Sequence, residues 1–166
     1  MKILLCFFLM LKGGVDRKSI SAFSSCSWYP PHVFDLSFNV NGLFRGSPGL
    51  AGVGGVLREV GGKVLCLFFS FVGTAEPITA EVLAIYKACS LISSSRMLDD
   101  RMITIWSDFS LVVSWINGDG FGKLSLVHLV YDIRQFISSR NLISIKYTPR
   151  GSNSLADSLA KAGTDL

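Results

Sequence analysis

The chain has 166 residues, 49% of them apolar and 17% charged, so it supplies one domain with ample core material and excludes an intrinsically disordered segment. Its net charge of +4 is concentrated at the start: in residues 1–30, Lys2, Lys12, Arg17 and Lys18 face Asp16 alone, which leaves the rest of the chain at only +1. That near-neutral balance excludes the tight, charge-driven binding of a strongly basic nucleic-acid protein. Cys6, Cys26, Cys66 and Cys89 form no CxxC pair and have no histidine at ligand spacing, which argues against zinc and a disulfide framework and for buried, reduced thiols.

In chain order, Ile3 to Leu11 is an apolar run between Lys2 and Lys12. It is too short to span a bilayer as a helix. A basic start before such a run is also the layout of a secretory signal, but Lys12, Arg17 and Lys18 intervene and no A-x-A-like site follows at the usual place. Residues 1–30 are read as a leader outside the domain, either signal-like or a remnant of a longer reading frame. Trp28-Tyr29-Pro30-Pro31 marks the boundary, since the prolines block helix before the first strand.

The domain is expected over residues 31–166. Phe34 to Asn41 alternates apolar and polar residues, the pattern of a half-buried strand. Strands follow at Gly52 to Arg58 and, beyond the Gly61-Gly62 turn, at Lys63 to Phe71, giving an antiparallel meander. Pro77 and Thr79 open a helix whose apolar face carries Val82, Leu83, Ile85, Tyr86 and Cys89. Met102 to Ser107 reads as a strand, Ser110 to Ile116 and Leu124 to Ile137 as helices, Leu142 to Thr148 as a fifth strand and Ser152 to Ala162 as the closing helix.

Three acidic residues fall at informative places on these elements. Glu81 lies in the first turns of a helix, Asp108 ends a strand, and Asp157 sits in the closing helix. Carboxylates gathered from distant segments repel one another unless a cation lies between them, so such a set points to Mg²⁺ or Mn²⁺ and phosphate chemistry. Asp35 shares a strand face with Asn41 but lies six residues earlier, at ~3.3 Å per residue roughly 20 Å away. Asp119 and Asp132 read as solvated surface charges, and Glu76 as an acid at the positive end of a helix. Asp108 also suits a helix N-cap before Ser110-Leu111-Val112. The glycines from Gly49 to Gly55 precede a strand and not a helix, so they fail the requirement for a dinucleotide loop. They fit either turn geometry or a close backbone approach to a nucleic-acid groove.

Phe38-Asn39-Val40-Asn41-Gly42, Arg45 to Arg58, Thr79-Ala80-Glu81-Val82-Leu83-Ala84, Ser107-Asp108-Phe109-Ser110-Leu111-Val112-Val113 and Arg150 to Lys161 occur in one order over one domain length. This set resembles a ribonuclease H-like domain of the type found in plant retroelement-derived, reverse transcriptase-like proteins, from about Trp28 to Gly163. The resemblance implies an α/β fold: a five-stranded mixed sheet, its first three strands antiparallel, flanked by helices. It implies metal-dependent hydrolysis of the RNA strand of an RNA–DNA hybrid, with two Mg²⁺ or Mn²⁺ ions held at the positions of Asn41, Glu81, Asp108 and Asp157.

The chain departs from that pattern at Asn41, where the family has a carboxylate. Losing that charge is expected to leave one ion or none, and hydrolysis weak or absent. Pro149-Arg150 stands where related enzymes carry a loop histidine, and neither His32 nor His128 is placed to serve. Gly118 to Lys123 is a short linker without the basic substrate-handling helix of some relatives. Gly42, Gly46, Ser47, Arg150 and Asn153 are the expected nucleic-acid contacts. The implied partner is an RNA–DNA hybrid or RNA, weakly held, with no membrane partner, a monomeric chain, and a nuclear or cytoplasmic setting favoured. A weak enzyme, an inactive hybrid-binding module and a retroelement remnant all remain open at this level.

Overall fold

The computed structural model describes residues 35–46, 49–118, 120 and 122–166. Residues 1–30, expected to be a leader, and Phe34 lie outside these residues. Five strands form one sheet in the order β3-β2-β1-β4-β5. The strands are β1 (Asp35–Gly46), β2 (Gly49–Arg58), β3 (Val64–Ala75), β4 (Met102–Ser107) and β5 (Ile143–Tyr147). β1, β2 and β3 pair antiparallel, whereas β4 runs parallel to both β1 and β5. The helices are α1 (Pro77–Ser93), α2 (Ser110–Asn117), α3 (Val127–Ser138) and α4 (Ser154–Thr164).

The expected order of elements holds, with differences at several ends. β1 does not stop at Asn41. Its pairing with β4 ends at Asn39 opposite Trp106, but its ladder with β2 runs on to Gly46 opposite Gly49. Asn41 therefore sits where β1 outruns β4, inside a strand. β2 begins at Gly49 and β3 continues to Ala75, because the same long hairpins extend past the short parallel strands. A 3-10 turn over Leu124–Leu126 precedes α3, and another over Arg150–Ser152 precedes α4, so both helices begin later than the residue pattern suggests.

Proline at the first turn of α1 fixes the helical φ where no backbone donor is needed. Gly118, at φ 117, ends α2 in the left-handed conformation that glycine adopts without a Cβ penalty. The core lies between the sheet and α1–α3, where Leu36, Phe38 and Val40 of β1 meet Val82, Ile85 and Ile92 of α1 and Ile133 of α3. Phe38 and Phe68 meet edge to face at 5.8 Å and 76°. α4 packs on β1, β2 and β3.

β1 is buried on both faces, which the alternation alone does not reveal. Ser37, Asn39 and Asn41 are all buried, on the face that α4 helps to cover. Being central in the sheet, this strand satisfies its polar side chains internally and not with solvent. Cys66 and Cys89 are free and buried, and burial pushes the Cys89 thiol up to about 12. Cys6 and Cys26 lie outside the described residues. Among the described residues no helix is long and apolar enough to cross a membrane.

Candidate active site

Two close approaches bring helices onto the sheet. A Cβ on Gly42 would stand 2.2 Å from the Ala80 carbonyl carbon, so α1 can lie here only against a glycine. This contact sets Glu81 beside β1, where its Oε2 accepts the Gly42 backbone N–H at 3.2 Å. On the other face, a Cβ on Gly52 or Gly54 would meet the Ala160 backbone at 2.3 Å. α4 therefore rests directly on β2. That seat carries Asp157 over β1, where its Oδ1 accepts the Asn41 Nδ2–H at 3.0 Å.

Asp108 follows the last residue of β4. The Ser107 hydroxyl, not the Asp108 carboxylate, accepts the Phe109 N–H at 3.2 Å, and no side chain caps α2. Asp108 thus does not serve as the expected cap of α2, and its carboxylate turns to the site. Its side chain is 5% exposed and lies 3.6 Å from the Nε of Arg150, itself 89% exposed on the 3-10 turn.

The three acids sense one another. Burial and then the negative charge of Asp108 push the Glu81 carboxyl from 4.5 to about 8, with Asp157 adding to the rise. The Gly42 N–H and the Arg150 guanidinium oppose it. Burial also raises the Asp108 carboxyl, and Asp157 reinforces this against Arg150 and the Asn153 amide. Desolvation and neighbouring like charges are the physical causes in both cases.

The other expected contacts divide. Asn153 is 1% exposed; its Nδ2 donates to the Val40 carbonyl at 2.8 Å and its Oδ1 accepts from Asn39 Nδ2 at 3.3 Å. This makes it an internal tie between β1 and the start of α4. Gly42 is buried and its N–H is taken by Glu81. Gly46 is exposed at the hairpin end with φ 94. Ser47 lies outside the described residues, as do Asp119 and His32. The acid of Glu76 pairs with Lys123 across from α3.

Residue reasoning missed the network around Asn39, whose Oδ1 also accepts from Ser37 Oγ at 3.4 Å and Arg58 Nη1 at 3.3 Å. The run of polar residues on one face of β1 was the available signal. It also missed the service of Gly52 and Gly54 to helix packing, which decides the matter against turn geometry and a groove approach at these two positions.

The oxygen donors are of the type a hard divalent cation takes. Their arrangement does not fit one. Among the described residues no group of three acidic, histidine or cysteine side chains stands where a single ion could be held. Each carboxylate instead faces a donor from the chain: Asn41 Nδ2, Arg150 Nε or Gly42 N–H.

The chain matches the family described as reverse transcriptase-like over residues 39–163. A protein of Arabidopsis thaliana named "Putative ribonuclease H protein" is 28% identical over 139 residues, 84% of this chain, and the chain spans only 22% of that relative's length. RNase H1 from the halophilic archaeon Halobacterium salinarum NRC-1 superposes with a TM-score of 0.72 at 27% identity, over 79% of this chain and 98% of that one. LC11-RNase H1, isolated from compost and solved in complex with an RNA/DNA hybrid, superposes with a TM-score of 0.72 at 25% identity, over 79% of this chain and 97% of its own. Strand order, helix placement and a match spanning most of the sequence agree: the chain belongs to the reverse transcriptase-like family and folds as a ribonuclease H-like domain.

Proposed function

We propose that this domain binds RNA–DNA hybrids and that its capacity to hydrolyse the RNA strand is severely impaired. The observation that carries this reading is the Asn41 amide, which donates to Asp157 at the position where the family resemblance implies a carboxylate. A neutral amide contributes one carbonyl oxygen at best and no charge, so two cations close together lose the anion that offsets their repulsion. Each ~1.4 kcal/mol of transition-state stabilisation lost slows a reaction about tenfold, so a few kcal/mol suppress it about a thousandfold.

The binding half of the reading is supported by the fold shared with an RNase H1 that is bound to a hybrid. Outside the leader the chain is nearly neutral, so the grip rests on few groups, Arg150 foremost, and is weak and salt-sensitive.

Fluorescence anisotropy with labelled RNA–DNA hybrid, duplex DNA and single-stranded RNA tests binding, and gel analysis of the hybrid in Mg²⁺ and Mn²⁺ tests cleavage. The parent chain is expected to prefer hybrid over duplex DNA and to cleave little, whereas Asn41→Asp gains cleavage. No preference for hybrid would sink the binding reading. Efficient cleavage by the parent would show that Asn41 suffices, and no gain in the variant would place the defect elsewhere.

A further inference from the structure

We infer that this site is built to work without a divalent cation: the Asn41 amide and the Arg150 guanidinium supply the positive poles, and Arg150 is the group offered to a phosphate. The inference deepens the nucleic-acid reading above, on which its second half rests.

The orientation of Asn41 is the first support. The Asp157 carboxylate is an acceptor only, so the amide that meets it at 3.0 Å presents its NH₂ and turns its oxygen away. The atom that meets Asp157 is an N–H donor, which cannot serve as a metal ligand beside that carboxylate. Asn41 is therefore more than a weakened ligand. To share an ion with Asp157 through its oxygen, Asn41 must turn its amide over and release this bond.

Arg150 is the second support, and it comes from a different element. Its Nε lies 3.6 Å from Asp108 Oδ2, so a full positive charge already stands beside the most enclosed strand-end carboxylate. A divalent ion at Asp108 would be repelled by that guanidinium or would have to displace it. The two partners differ sharply in exposure, with the Asp108 side chain 5% and the Arg150 side chain 89% exposed. The acid is fixed and the base faces solvent. A guanidinium so placed can keep one N–H toward Asp108 while presenting the rest of its planar fork to a phosphate, the geometry in which arginine binds such groups best. Glu81, the third acid, has the Gly42 N–H. Each carboxylate of the site thus already faces a donor supplied by the chain.

The test uses the full chain. Thermal melts and titration calorimetry with MgCl₂ and MnCl₂ are compared with NaCl of equal ionic strength, and hybrid affinity is measured with Mg²⁺ and with EDTA. The parent is expected to show no saturable ion heat and no ion-specific rise in melting temperature. Its hybrid affinity should change by less than about twofold on chelation, since no ion bridges protein and phosphate. Asn41→Asp should acquire an ion-dependent rise in melting temperature, because it adds a fourth carboxylate. Arg150→Gln should lower the melting temperature, because Asp108 loses its counter-charge, and should weaken hybrid binding in EDTA by about tenfold, as loss of a charged phosphate contact does.

Saturable Mg²⁺ or Mn²⁺ uptake by the parent would overturn the inference. So would loss of hybrid binding in EDTA, or unaltered binding by Arg150→Gln. If the parent binds no hybrid under any condition, the functional reading fails, but the ion titration still decides whether the site is cation-free. The same titration of the parent is decisive if Asn41→Asp does not fold.

Discussion

Gly54 lies so close to α4 that a Cβ on it would stand 2.3 Å from the backbone nitrogen of Ala160. The absence of a side chain is what lets the helix touch the sheet, and this contact fixes how far Asp157 reaches across β1. Site geometry here depends on a glycine that touches none of the acids.

Gly54→Ala should therefore lift α4 and destabilise the fold by about 1–3 kcal/mol, the usual cost of overpacking. Hybrid binding should fall with it. Gly151→Ala is the control, because a Cβ there meets nothing within 4 Å. Urea melts of the two variants check this; equal stability would show that the helix accommodates the methyl group.

Asn153→Ala removes a buried donor to the Val40 carbonyl and a buried acceptor for Asn39. Both partners are then left without that bond in a place water does not reach, at a cost of about 2 kcal/mol. Chemical denaturation measures the loss. A neutral result would mean that Asn39 and Val40 find other partners.

Phe38→Ala should be the most damaging of these changes. Phe38 is buried at the centre of β1 and meets Phe68 edge to face. Emptying that position costs about 3–5 kcal/mol, and Phe38→Leu should recover much of it. Melting of both variants gives the comparison, and similar losses for the two would exclude cavity formation as the cause.

Stability should fall as pH rises through neutrality. The Glu81 carboxyl is pushed up to about 8 from 4.5, first by burial and then by the Asp108 charge. Between these values the folded chain holds a proton that the unfolded chain releases. The contribution of this group is thus fullest near the lower value, declines as pH rises, and levels off above the higher one. Glu81→Gln should flatten that slope and stabilise the protein by a few kcal/mol near pH ~8. Urea melts from about pH 5 to about pH 8 check it, provided no divalent ion is present. A slope that survives in Glu81→Gln would assign it to another group.

By itself the sequence determined the order of strands and helices, the helix start at Pro77 and the placing of Glu81, Asp108 and Asp157 on separate elements. Those features are local: they follow from periodicity, proline and glycine, and the spacing of apolar residues. It also showed an asparagine and no carboxylate at position 41, since side-chain identity needs no coordinates. What only the tertiary structure decided depends on atoms brought together across the chain. Asn41 and Asp157 lie 116 positions apart and Asn39 and Asn153 lie 114 apart. The side to which the Asn41 amide turns, the burial of Asn153 and the pairing of Arg150 with Asp108 all result from how α4 sits on the sheet. That seat is set by Gly52 and Gly54, which look like turn residues in the sequence because a missing Cβ shows its purpose only when another backbone occupies its place.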